Sequence, residues 1–188
     1  MTDKASPPLI EFDTERLRLR QWRESDLAPF FALACDPQVM EFLLPLPTRA
    51  DSDALAERAK ARIAENGWGL WAVEEKASGA FIGFTGLNVP AAVLPFSPCV
   101  EIGWRFARHA WGRGLASEAA RGALLVGFER LALDEIVAFT GVGNLRSAAV
   151  MARIGMTEDL AGAFDHPLVP AGHPLRAHRL YRIGRPGR

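Results

Sequence analysis

The sequence predicts an α/β (α+β) fold, a single domain with a mixed, mostly antiparallel sheet flanked by helices. Three observations predict it. The chain of 188 residues is 49% hydrophobic and 23% charged, long enough to bury one core without staples and typical of a globular domain. The first half carries strand patterns joined by a tight turn. The second half runs strand, helix, strand, helix, an order that packs helices on a sheet and implies a parallel, right-handed crossover. No repeat or internal boundary divides the chain. Residues 1–8 are polar and end in Pro7-Pro8. They are expected to form a disordered lead-in to one domain over residues 9–188.

The elements follow in order. Arg16-Leu17-Arg18-Leu19-Arg20-Gln21 alternates with period two, which puts Leu17 and Leu19 on a buried face and Arg16, Arg18 and Arg20 in water. Ser25 is suited to cap a short helix ending near Ala34. Asp36-Pro37 opens another helical turn, since Pro fits the first helical position, and the run from Leu44 to Pro47 breaks the chain. Thr48 and Asp51 resemble a capping box for a helix to about Glu65, stopped by Asn66-Gly67. Gly69–Glu75 and Ala80–Leu87 read as an antiparallel hairpin turning at Lys76–Gly79. The segment Asn88–Pro98 has three prolines and is a loop.

Across Val100–Ala107, Val100, Ile102, Trp104 and Phe106 share one strand face, and Glu101, Gly103, Arg105 and Ala107 share the other. A helix from about Gly114 to Leu131 has Leu115, Ala119, Gly122 and Val126 as its buried stripe. Glu135–Thr140 is a short strand, Asn144–Ile154 is a helix ended by Gly155, and Ala177–Ile183 is one further strand.

Lys+Arg and Asp+Glu are equal at 22 each. That balance excludes a global field for nucleic acid or acidic membrane, so a charged partner has to be recognised locally. No run approaches the ~20 apolar residues of a membrane span, and the opening MTDKASPPLIEFD has no apolar run of signal-peptide length. Cys35 and Cys99 form no CxxC and are expected to be free, buried thiols of a cytoplasmic protein. Asp165, His166, His173 and His178 in the tail match no zinc spacing, and no metal is expected. Arg176, Arg179, Arg182, Arg185 and Arg188 are expected on a solvated strand edge. Trp22, Phe30, Phe31, Trp68 and Trp71 suit either the core or a cleft wall.

The chemistry concentrates in Arg108-His109-Ala110-Trp111-Gly112-Arg113-Gly114-Leu115-Ala116-Ser117-Glu118. A new helix presents N–H groups without internal partners, and its dipole favours an anion there. Gly112 and Gly114 admit a large anion close to the backbone because no Cβ blocks it. Arg113 adds positive charge. There is no G-K-[ST], so the turn is not a P-loop. It lacks the G-x-G-x-x-G with a downstream acid that marks a dinucleotide fold. A phosphate or pyrophosphate remains, although two glycines also make an ordinary tight turn.

The same string resembles the acyl-CoA motif [QR]-x-x-G-x-[GA] of the GNAT N-acetyltransferase superfamily, with His109 where Gln or Arg is usual. The wider string from Glu101 to Ala119 resembles the RimJ/RimL branch. Two further stretches agree: Asn144-Leu145-Arg146-Ser147 through Gly155-Met156, similar to N-x-x-S-x-x-V-x-x-[KR]-x-G-[FM], and the opening Thr14-Glu15-Arg16-Leu17-Arg18-Leu19-Arg20. The resemblance spans about residues 12–183 with the order and spacing kept.

That resemblance implies a GNAT-like domain with a splayed coenzyme-binding strand pair and acetyl-CoA as the acetyl donor. Trp104, Arg105 and Phe106 would lie along the pantetheine arm. The backbone of Trp111, Gly112, Arg113, Gly114, Leu115 and Ala116 would take the pyrophosphate. Asn144 would contact the coenzyme while also capping its helix. Glu101 matches the general base of relatives, and an attacking amine needs one because an ammonium has no free lone pair. A backbone N–H near Trp104–Phe106 would stabilise the thioester oxygen.

The tyrosine that protonates the departing thiolate in many relatives would fall at Met151. Ser147, water or no acid at all are the alternatives. The implied acceptor is a primary amine, either a protein N-terminus or a small molecule such as an amino acid, polyamine or antibiotic. Neither nucleic acid nor membrane is an expected partner, and the chain is a monomer or homodimer. The alternative reading is a catalytically weak coenzyme-A-binding regulator or sensor with the same fold.

Overall fold

The computed structural model describes residues 7–46 and 48–187. Residues 1–6 of the expected lead-in, Pro47 of the chain break and Arg188 of the tail lie outside the described residues. Eight strands form one sheet in the order β1-β2-β3-β4-β5-β6-β8-β7. The strands are β1 (Phe12–Asp13), β2 (Leu17–Arg20), β3 (Leu70–Glu75), β4 (Ala80–Asn88), β5 (Glu101–Phe106), β6 (Glu135–Gly141), β7 (Thr157–Asp165) and β8 (Ala177–Gly184). Helices α1 (Glu24–Ala34), α2 (Pro37–Met40), α3 (Arg49–Asn66), α4 (Leu115–Leu125) and α5 (Leu145–Arg153) flank the sheet. Every strand pair is antiparallel except β5 with β6, which is parallel and meets at a single pair, Glu101 opposite Val137.

The local signals act where the sequence places them. Thr48 and Asp51 form the reciprocal capping box of α3, and Gly67 caps its other end in the left-handed conformation. The Asp36 carboxylate accepts the Gln38 N–H at 2.9 Å and starts α2 at Pro37. The core sits between sheet and helices: Trp22, Phe30 and Phe84 pack at ring separations of 5.2–6.0 Å, and Trp71 is fully buried. Trp22, Phe30 and Trp71 are therefore core. Phe31 and Trp68 are half-buried.

Several expectations are corrected. Arg20 does not face water. It is 3% exposed, because α1 folds over the end of β2 and supplies Asp26, which the guanidinium grips at 2.7 and 2.9 Å. Glu74 of β3 takes the Nε at 2.8 Å. Arg16 and Arg18 are exposed as expected. The α1 cap is Arg23 rather than Ser25, since Asp26 also accepts the Arg23 backbone N–H at 2.8 Å and fixes the start of the helix there.

Cys35 is exposed and Cys99 only half-buried, both free. The arginine-rich tail is ion-paired rather than simply solvated. Arg179 grips Glu158, and Arg182 bridges Asp159 and Glu135, because β7 and β6 bring these acids alongside β8. Strand β7 was not anticipated. It is an edge strand with no fully buried residue, and its pairing with β8 slips between Asp159 and Phe164. No clean period-two pattern survives in such a strand. Beyond α4, a π-helical turn (Val126–Arg130) completes the helix close to its expected end.

Candidate functional site

Strands β5 and β6 separate after one point of contact. The Val137 N–H donates to the Val100 carbonyl at 3.0 Å, and Glu101 lies opposite Val137. Backbone groups alternate sides along a strand, so Ile102, Trp104 and Phe106 turn theirs toward β6 while Glu101, Gly103 and Arg105 turn theirs toward β4. Two hydrogen bonds agree with this. The Thr85 hydroxyl on β4 donates to the Gly103 carbonyl at 2.9 Å, and the Trp111 indole N–H donates to the Phe106 carbonyl at 2.9 Å. Within the Trp104–Phe106 segment, Trp104 thus has its N–H and C=O facing a gap that β6 does not fill. Arg105 instead pairs its backbone with Phe84.

The gap opens into a cleft of about 890 Å³, within the usual range for small-molecule and cofactor sites. Its lining includes Glu101 and Trp104 from β5, Phe139 and Thr140 from β6, and Trp111, Gly112 and Gly114 to Ser117 of the turn and the start of α4. It also includes Asn144, Ser147 and Met151 on or beside α5, and Val39, Phe42 and Leu43 on or after α2. Every sequence-predicted site residue except Arg113 lines this one cleft.

The glycine turn forms because Gly112 and Gly114 stand at φ +72° and +77°, where an L side chain is strained. A Cβ on Gly112 would meet nothing within 4 Å. Helix α4 begins immediately afterwards, and its first N–H groups, from Leu115 to Ser117, have no intrahelical partner. Two expectations change here. The Trp111 N–H is already bonded to the Arg108 carbonyl at 3.0 Å, so the free donors start later. Arg113 turns away from the cleft to pair with Glu75, whose carboxyl it holds below the usual range.

Arg16 of the opening motif braces the turn. Its Nη1 donates to the Arg113 carbonyl at 2.9 Å and its Nε to Glu118 of α4 at 2.6 Å. Thr14 adds a hydroxyl bond to Glu118 at 2.6 Å. The T-x-R spacing was legible as a strand, but its bond to the turn was not, because a hundred residues separate the partners.

Asn144 is the N-cap of α5. Its Oδ1 accepts the Ser147 N–H at 3.1 Å, and its Nδ2 donates to the Thr140 hydroxyl at 2.9 Å. One amide hydrogen and one lone pair are left over. Across the cleft mouth, Arg146 stacks on the Trp111 ring at 4.8 Å and pairs with Glu41 at 2.5 Å, tying α5 to the end of α2.

Glu101 is largely buried where β5 and β6 part. Burial pushes its carboxyl above the ordinary range, and a 2.8 Å hydrogen bond from Asn88 Nδ2 only partly opposes this. Asn88 is a site residue the sequence did not reveal. It lies at the end of β4, paired with Glu101 across the strands. Met151 is 2% exposed, so the position expected for a tyrosine holds a buried thioether. Tyr181 is on β8, hydrogen-bonded to Glu158, and lies outside the cleft lining.

A splayed parallel strand pair and a glycine turn onto a helix N-terminus thus open onto one cleft, with room for an extended ligand along β5 and for an anion at the start of α4. The model of the acetyltransferase (GNAT) domain matches residues 16–157, and the chain belongs to this family of acetyl-CoA-dependent acyltransferases. Among particular relatives, it is 35% identical to the protein YkkB of Bacillus subtilis (strain 168), over 76% of this chain and 83% of that one. It is 31% identical to the FsC-acetyl coenzyme A-N(2)-transacetylase of Aspergillus fumigatus, over 89% of this chain and 73% of that one. The crystal structure of an acetyltransferase from Agrobacterium tumefaciens str. C58 superposes with a TM-score of 0.75 at 27% identity, covering 97% and 99% of the two chains. Among the described residues, no helix is long and apolar enough to cross a membrane.

Proposed function

We propose that the chain is a cytoplasmic N-acetyltransferase of the RimJ/RimL-like branch. It moves an acetyl group from acetyl-CoA to a primary amine, a small molecule or a protein N-terminus, by direct attack on the thioester. The observation that carries this reading is Glu101, a carboxylate held at raised pKa where the two strands part. A base poised nearer neutrality than an ordinary carboxylate is suited to deprotonating an incoming ammonium. The name of the Aspergillus relative, an N(2)-transacetylase, supports nitrogen as the acceptor atom.

Acetyl-CoA supplies the activated acetyl group. The backbone of Trp104 pairs with the pantetheine arm, and its N–H is aimed at the oxygen that gains charge as the amine adds. The N–H groups from Gly112 to Ala116 hold the pyrophosphate, and the spare amide hydrogen of Asn144 meets the coenzyme. Glu101 takes the proton from the amine. As the C–S bond breaks, the thiolate receives a proton from Ser147 or water, since Met151 has none to give.

The test follows thiol release from acetyl-CoA against a panel of amines over a pH range. For the wild type, kcat/KM is expected to rise with pH through the Glu101 ionisation, above the ordinary carboxylate value because the folded pKa is raised. Glu101→Gln is expected to lower the rate by about 10²–10⁴-fold and abolish that limb. A Glu101→Gln rate equal to wild type at every pH would refute Glu101 as the base. Tight coenzyme binding with no turnover of any amine would favour the second reading, a coenzyme-binding sensor, for which the buried Met151 is the supporting observation.

A further inference from the structure

Arg105 lines the cleft with a charged side chain whose chemistry the acetyl-transfer reading leaves unused. Its backbone belongs to the β4–β5 ladder, and its side chain lies on the sheet face that α1 covers. The guanidinium sits 5.5 Å from the Phe84 ring and 5.9 Å from the Phe30 ring. Its Nε and Nη1 are buried without a hydrogen-bond partner. Burial alone lowers its pKa to about 10, so it remains a cation at neutral pH.

This contrasts with Arg20, whose buried charge is met by two carboxylates on the same side of the sheet. A buried guanidinium without hydrogen-bond partners is costly and calls for a ligand. Phe84, beneath it, lines the cleft together with Leu70, Val39 and Phe42. These residues lie on the α1–α2 side, opposite the α4–α5 side assigned to the coenzyme. Glu101 shares the strand face of Arg105, four residues away, or about 13 Å between Cα atoms at 3.3 Å per residue.

We infer that Arg105 is the anchor for a carboxylate on the amine acceptor, so that the acceptor is an amino acid or a short peptide-like amine with a free carboxylate. The inference rests on the N-acetyltransferase reading. The anion is a carboxylate because the planar guanidinium fork matches carboxylate geometry and the aromatic floor beneath it is flat and apolar. With Glu101 near the amine and Arg105 at the far end, the distance between them fits molecules from a diamino acid to a dipeptide. The aromatic surroundings offer a protonated polyamine no acid to pair with at this end.

The test uses the full chain loaded with coenzyme A and two measurements. The first is calorimetric binding of lysine and a lysyl dipeptide, each compared with its C-terminal amide. The second is acetylation of the same compounds and of spermidine. Wild type is expected to bind the carboxylates about 10–100-fold more tightly than the amides. Arg105→Gln is expected to lose that preference and Arg105→Lys to retain part of it. Coenzyme binding by each variant confirms that it is folded.

Equal binding of acid and amide by the wild type overturns the inference, whatever its turnover. So does a carboxylate preference that survives in Arg105→Gln, or a preference for spermidine. Binding that depends on carboxylate and Arg105, but with no acetylation, supports the anchor and counts instead against the acetyltransferase reading.

Discussion

Glu101 and Arg20 show how the same sheet treats two buried charges. Arg20 is bound by Asp26 and Glu74, and its period-two position does not face water because α1 covers the end of β2. Replacing it by methionine leaves the buried Asp26 without its cation, while Glu74 keeps Arg23 and Arg18. Arg20→Met is expected to lose about 3–5 kcal/mol, measurable by urea unfolding. Among the described residues, the hydrogen-bond partner of Glu101 is the neutral Asn88, which donates to the ionised carboxylate and so favours it. Asn88→Leu removes that bond and adds burial. The acid limb of kcat/KM is expected to move to higher pH, and an unmoved limb would show that Asn88 does not tune the base. The sequence made Glu101 legible through its motif. Asn88 and Arg20 acquire their roles from partners on other strands, which no local pattern encodes.

At the scale of elements, the glycine turn and the start of α4 are braced by residues from near the start of the chain. The turn itself was legible, because a strand, two glycines and a helix follow one another locally in the sequence. The brace was not: Arg16 and Thr14 reach the turn and Glu118 only once β2 has packed beside α4. Gly114→Ala forces a Cβ onto a left-handed residue at a cost of about 1–2 kcal/mol, and is expected to weaken coenzyme binding about tenfold or more. Arg16→Ala leaves the glycines intact but frees the turn. It is expected to raise the coenzyme Kd with little effect on secondary structure, as measured by calorimetry and circular dichroism. An unchanged Kd would mean that the turn keeps its shape unaided.

Considered whole, the molecule is an antiparallel sheet interrupted by one parallel pair that barely touches. The alternation at the start of β2, the β3–β4 hairpin and the strand–helix order of the second half were legible from local patterns and turn residues, although β3 and β4 are buried on both faces. The edge strand β7 was not, since none of its residues is fully buried and its register slips midway. Coenzyme seated between β5 and β6 is expected to act as a missing strand. At a coenzyme concentration 100 times its Kd, stability should rise by about 2.7 kcal/mol, seen as a higher Tm. Exchange of the Trp104 amide should slow on coenzyme addition. Slower exchange confined to the turn after Gly112 would argue against strand-like seating.

The strand order has a consequence for assembly. Strand β8 follows β7 in the chain yet lies between β6 and β7 in the sheet. At synthesis rates of about 5–20 residues per second, β7 emerges at least about half a second before the strand that joins it to β6, and β6 earlier still. During that interval β6 presents an unpaired edge beside the open cleft, and β7 has no neighbour at all. The wall of the cleft that carries Phe139 and Thr140 therefore completes last, and any interruption before Ala177 leaves β6 as a sticky edge that the finished sheet covers with β8.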